Sequence, residues 1–152
     1  MNTLHQIVTN QPLMSAVASW AIAQIAKVIL FSVPRRRLSW RKILETGGLP
    51  SAHSAFVVGL AVAVGCVEGF GSTLFAIACV LALIVMYDAL SLRREAGKHA
   101  DLLNDLLLLS FIKEAVEERE TLREMLGHTP LEVMAGAAIG ILTSVVLHVK
   151  VM

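Results

Sequence analysis

Residues Gly47-Gly48-Leu49-Pro50-Ser51-Ala52-His53-Ser54 place a glycine turn, a helix start and a histidine together, directly ahead of an apolar run from Ala55 to Val67. Free N–H groups at a helix start, backed by the positive end of the helix dipole, make an anion site. An imidazole that exchanges a proton near neutral pH gives such a site catalytic potential. The chemistry this pattern suits is the handling of phosphate, with N–H groups of the helix start facing the oxygens and an imidazole beside them able to move a proton.

A second constellation is Gly127-His128-Thr129-Pro130-Leu131-Glu132. Thr129 and Glu132 fit a capping box, and Pro130 suits the first helical position. His128 and Glu132 are also four apart, a spacing that lets a carboxylate reach an imidazole and fix its tautomer. Lys27 falls inside an apolar stretch, where an ammonium either snorkels or meets a partner. Asp88 is a candidate for that partner, or for orienting nearby arginines. Arg93 and Arg94 carry the planar fork that grips phosphate oxygens, although alone they also read as membrane-interface anchors. His5, His99 and His148 lack comparable surroundings and read as ordinary surface residues.

The elements that must position these groups follow from composition. Of 152 residues, 56% are hydrophobic and 16% charged, with mean hydropathy +0.71. A soluble domain carries roughly 25% charged residues, so a soluble helical bundle is the weaker reading. Apolar blocks at 13–33, 52–70, 72–90 and 131–149 approach the roughly 17–25 residues of a membrane-crossing helix. The expectation is an all-α polytopic bundle of about four transmembrane helices with a helical cytoplasmic loop, residues 1–152 forming one integral-membrane domain. The leader up to Pro12 has no Lys or Arg, so the first block reads as a retained helix. Cys66 and Cys79 lie in apolar blocks without zinc-type spacing. Trp20, Trp40 and Tyr87 read as packing or interfacial anchors.

The net charge of +1 hides an asymmetry. Arg35, Arg36, Arg37, Arg41 and Lys42 separate the first two blocks, and Arg93, Arg94, Lys98, Lys113, Arg119 and Arg123 separate the last two. The positive-inside rule puts both long loops in the cytoplasm and both termini on the opposite face. Residues 99–126 read as helix, with apolar Leu102, Leu103, Leu106, Leu109 and Ile112 ahead of a charged stretch; it either lies on the membrane surface or caps the site.

Together, GGLPSAHSA at 47–55, VMYDALSLRREAG at 85–97 and GHTPLEVMAG at 127–136 resemble the divergent branch of the type-2 phosphatidic acid phosphatase superfamily, which is related to vanadium-dependent haloperoxidases. The resemblance covers nearly the whole chain. The superfamily pattern is Lys, six residues, Arg-Pro; then Pro-Ser-Gly-His; then Ser-Arg followed by His and, four later, Asp. Lys27 matches the first lysine, six residues follow, and Pro34-Arg35 stands in reversed order. Pro50-Ser51-Ala52-His53 matches the second part, with Ala52 where Gly is usual. The third part is split: Arg93 or Arg94 takes the arginine's place, and His128 with Glu132 takes the His-xxx-Asp place.

The resemblance implies phosphoryl transfer without metal or other cofactor. His128, oriented by Glu132, would be the nucleophile and His53 the acid. Lys27, Arg35, Arg93 or Arg94, Ser51 and Ala52 would bind phosphate. The implied partners are a lipid or isoprenoid phosphate and the bilayer, with no nucleic acid and with a homo-oligomer as an open option. The competing reading is a non-catalytic membrane protein that keeps the phosphate- or headgroup-binding fold.

Overall fold

The structure is a computed structural model that describes residues 2–35, 48–107 and 128–151. A short α1 (Thr3–Val8) precedes α2 (Gln11–Arg35), α3 (Ala52–Glu68), α4 (Thr73–Leu90), α5 (Leu92–Leu107) and α6 (Pro130–Val151). No strand occurs among the described residues.

The apolar blocks of the sequence become α2, α3, α4 and α6, and local chemistry sets their limits. Asn10 starts α2 by accepting from the Leu13 N–H through its side chain (3.0 Å). Pro12 is harmless in that first turn, where its missing N–H has no intrahelical partner. Ser51 and Ser72 cap α3 and α4 by accepting from Ser54 N–H (3.4 Å) and Phe75 N–H (3.2 Å). The second apolar block does not stay helical to residue 70: α3 ends at Glu68 because Gly69 turns the chain at φ +90°.

Among the described residues, three helices, over Gln11–Val33, Thr73–Leu90 and Pro130–Lys150, are long and apolar enough to cross a bilayer. The expected fourth, α3, is a shorter apolar helix of 17 residues, about 25 Å long. It is also the central one, packing against α2, α4 and α6. It can sit there because its inward face is made of small residues: Ala52, Ser54, Ala55, Gly59, Ala61, Ala63 and Gly65. Gly59 meets Ser19 of α2 and Ser144 of α6, and the Ser144 hydroxyl donates to the Gly59 carbonyl (2.7 Å). Close approach of backbones through small residues is how helices associate where lipid removes the usual hydrophobic drive.

The burial pattern is inverted relative to a soluble protein. The largest fully buried side chains are serines, Ser15, Ser19, Ser51, Ser54 and Ser144, while leucine, isoleucine and valine point outward along α2, α4 and α6. An apolar outer surface of this extent is a surface for lipid. The outcome is a helical membrane bundle, in line with the sequence.

One element differs from its sequence reading. Arg93 and Arg94 were expected to follow the third helix as loop residues, but helix resumes after a single residue, Ser91. The Ser91 N–H and hydroxyl both go back to the Tyr87 carbonyl, and Glu95 N–H then donates to the Ser91 carbonyl (3.0 Å). Helical bonding is passed across the break, so α5 starts at Leu92 rather than at 99, and it is described as far as Leu107. Residues 108–127, with Leu109, Ile112 and the charged stretch, lie outside the described residues.

Candidate functional site

The ends of four helices meet at one pole of the bundle. The His128 N–H donates to the Ala89 carbonyl at the end of α4 (3.0 Å), and the Ser51 N–H donates to the Glu132 carbonyl in the first turn of α6 (2.9 Å). Gly48, at φ +88°, sits against the side chain of Lys27 from α2. Arg35, at the end of α2, and Arg93 and Arg94, in the first turn of α5, lie near these elements in the chain; their side chains are outside the described residues. The opposite pole joins Gln11 to His148, Nε2 to Nδ1 at 3.2 Å.

At the first pole the two histidines come together, with ring centroids 6.0 Å apart and planes at 63°. They are unlike in setting. His128 is 3% exposed, whereas His53 is open to the outside. The His128 Nδ1 lies 3.0 Å from Glu132 Oε2. Because an ionised carboxylate only accepts, Nδ1 is the donor in this pair, and in the neutral imidazole the lone pair then sits on Nε2. That Nε2 is buried and has no hydrogen-bond partner among the described residues. A buried polar atom left unmatched is uncommon in a native protein and asks for a reason.

Glu132 answers both readings of its position at once. Its Oε2 accepts from the Thr129 N–H (3.1 Å) as well as from His128, and its own N–H donates to Thr129 Oγ1 (3.3 Å). The capping box and the histidine–carboxylate pair therefore share one oxygen, and the helix start that holds α6 in place also holds the imidazole.

Ser51 requires a correction. Its N–H was expected to face an anion, but that N–H is used by the Glu132 carbonyl, and its hydroxyl accepts from the N–H and hydroxyl of Ser54. Ser51 is wholly buried and ties α3 to α6. The first-turn N–H of Ala52, which by helix geometry lacks an intrahelical acceptor, is a donor at this start. Lys27 is 5% exposed, so it does not snorkel outward. Among the described residues, no group of three or more His, Cys, Asp or Glu is arranged to hold a metal ion.

Sequence reasoning passed over Gly136. A Cβ at that position would overlap the Ser51 carbonyl oxygen and lie 3.0 Å from the Ser54 Cβ. The available signal was a glycine inside an apolar helix, one turn after Glu132.

The model of a family described as the divergent PAP2 family matches residues 8–143. The chain belongs to this family. It is also similar to the uncharacterized membrane protein YuiD of Bacillus subtilis (strain 168), 39% identical over 152 aligned positions that cover 93% of this chain and 96% of that protein. No solved structure matches the chain. With three helices able to span a bilayer and a membrane-protein relative along nearly its full length, the chain is an integral membrane protein of the PAP2 superfamily's divergent branch.

Proposed function

We propose that this protein is a membrane-embedded phosphatase that hydrolyses a lipid or isoprenoid phosphate or diphosphate through a phosphohistidine on His128. The observation that carries the reading is the buried His128 Nε2, without a partner among the described residues, in a ring held by Glu132 through its other nitrogen and facing a second imidazole 6.0 Å away. Binding an anion requires only cations and N–H groups; two histidines in unlike settings suit a nucleophile and an acid.

In the proposed reaction, His128 Nε2 attacks phosphorus and the bond from phosphorus to the leaving oxygen breaks. His53 gives that oxygen its proton. Water then attacks the phosphohistidine, His53 takes the water's proton, and phosphate leaves with Nε2 restored. Lys27, Arg35, Arg93 or Arg94, and the Ala52 N–H balance the charge on the phosphoryl oxygens. Such positioning and charge stabilisation accounts for most catalysis of phosphoryl transfer.

The substrate class is supported by what surrounds the site. Leu49, Tyr87, Leu131 and Met134 are exposed apolar or amphipathic residues close in sequence to the polar groups, so a phosphate head and an apolar tail are both accommodated. On the positive-inside argument the site faces the cytoplasm, because the basic residues cluster in the segments that run to this pole.

The second reading, a phosphate- or headgroup-binding membrane protein without turnover, is favoured by Ala52 standing where Gly is usual and by the loss of the Ser51 N–H to Glu132. Phosphate release separates the two. Purified protein in mixed micelles is offered a diacylglycerol phosphate and long-chain isoprenyl mono- and diphosphates, beside His128→Ala. The phosphatase releases phosphate and, on quenching, carries acid-labile phosphate at His128. Equal release by wild type and His128→Ala removes His128 as the nucleophile, and no release by wild type leaves the binding protein.

A further inference from the structure

Ser51, His53 and Ser54 share the first turn of α3, and that turn is docked on the first turns of α6 at two levels. At the upper level the Glu132 carbonyl accepts the Ser51 N–H (2.9 Å). One turn on, Gly136 lies flush against the Ser51 carbonyl and Ser54, with no room for a Cβ. The same Glu132 fixes His128 through its carboxylate. A single helical turn thus sets where both imidazoles stand, one through a side chain and the other through the main chain.

We infer that Gly136 is a positioning residue, whose missing side chain fixes how closely His53 on α3 approaches His128. The obstacle a larger residue would meet is a backbone oxygen, which cannot swing aside as a flexible side chain can. The α3 start would have to retreat, and His53 would go with it. His128 would stay, because its anchors to Glu132 and Ala89 do not pass through α3. Gly140 repeats the contact one turn deeper, where a Cβ would lie 2.7 Å from the Ala55 oxygen and the Gly59 nitrogen.

The inference extends the phosphatase reading but is tested without it. Protein labelled with ¹⁵N-histidine in bilayers is expected to transfer magnetisation between the rings of His53 and His128, the peaks being assigned with His53→Gln and His128→Gln. In Gly136→Ala a retreat of ~1 Å is expected to weaken that transfer about twofold or more, and to lower kcat by about 10²-fold with KM nearly unchanged. A wild type that releases no phosphate removes the phosphatase reading and leaves the ring-to-ring comparison standing. If Gly136→Ala does not insert, Gly140→Ala is expected to weaken the same peak. Wild-type transfer in Gly136→Ala, or in Gly140→Ala where that variant replaces it, overturns the inference.

Discussion

At its first turn α3 is held by hydrogen bonds, with Ser51 donating to Glu132 and accepting from Ser54. At its last turn Gly65 lies instead beneath the rings of Phe70 and Phe75, which meet edge to face at 5.2 Å. One helix is thus closed by polar groups at one end and by aromatic packing at the other. The aromatic closure is the simpler way to finish a helix in lipid, since ring packing adds no side-chain donor or acceptor to the carbonyls the helix end already leaves. The polar closure carries a burden: a buried nitrogen such as His128 Nε2, unmatched among the described residues, costs roughly 1–3 kcal/mol if nothing else meets it. The two poles thus differ in kind: buried hydrogen bonds and a histidine–carboxylate pair at one, ring packing beside the Gln11–His148 contact at the other.

The contrast is broken most severely by His128→Ala, for which turnover is expected to fall at least about 10⁴-fold, as when a covalent nucleophile is removed. Phosphate release in micelles measures this, and an unchanged rate puts both ends of α3 on the same structural footing. His53→Gln is expected to reduce the rate by about 10²–10⁴-fold while leaving the fold intact, since His53 is exposed and loses only its acid–base function.

Glu132→Gln sharpens the comparison further. Glutamine still completes a capping box, so unfolding in detergent is expected to shift by less than ~1 kcal/mol. The amide loses the charge that orients and stabilises the imidazole, and turnover is expected to drop by roughly 10²–10⁴-fold. Equal losses of stability and activity would show that Glu132 is only a cap. Among changes at the aromatic end, Ser72→Ala removes the α4 cap at a cost of about 1 kcal/mol. Phe70→Ala is expected to be smallest, at most about 1 kcal/mol given its exposure, and neither should alter kcat.

Much of the scaffold could be read from the chain. Apolar stretches of bilayer length became helices because each can satisfy its own backbone, and Thr129-Pro130-Leu131-Glu132 announced the start of α6 through capping chemistry that acts within one turn. The four-residue spacing of His128 and Glu132 was legible for the same reason. Less legible was α5: charge at Arg93 and Arg94 suggested a loop, yet Ser91 hands its carbonyl to Glu95 and helix resumes. The fate of the Ser51 N–H could not be read either. A helix start looks like an anion site until a distant carbonyl, here that of Glu132, takes the donor.

The sequence by itself determined that the chain is helical, that it belongs in a membrane, and that a histidine and a carboxylate lie on one face of a helix start. These are matters of composition and of contacts within a few residues. Only the tertiary structure decided that His53 faces His128, that Lys27 is buried against Gly48, and that Gly136 seats α3 on α6. Those pairings join residues far apart along the polypeptide, and their distances depend on how closely small side chains let two backbones approach.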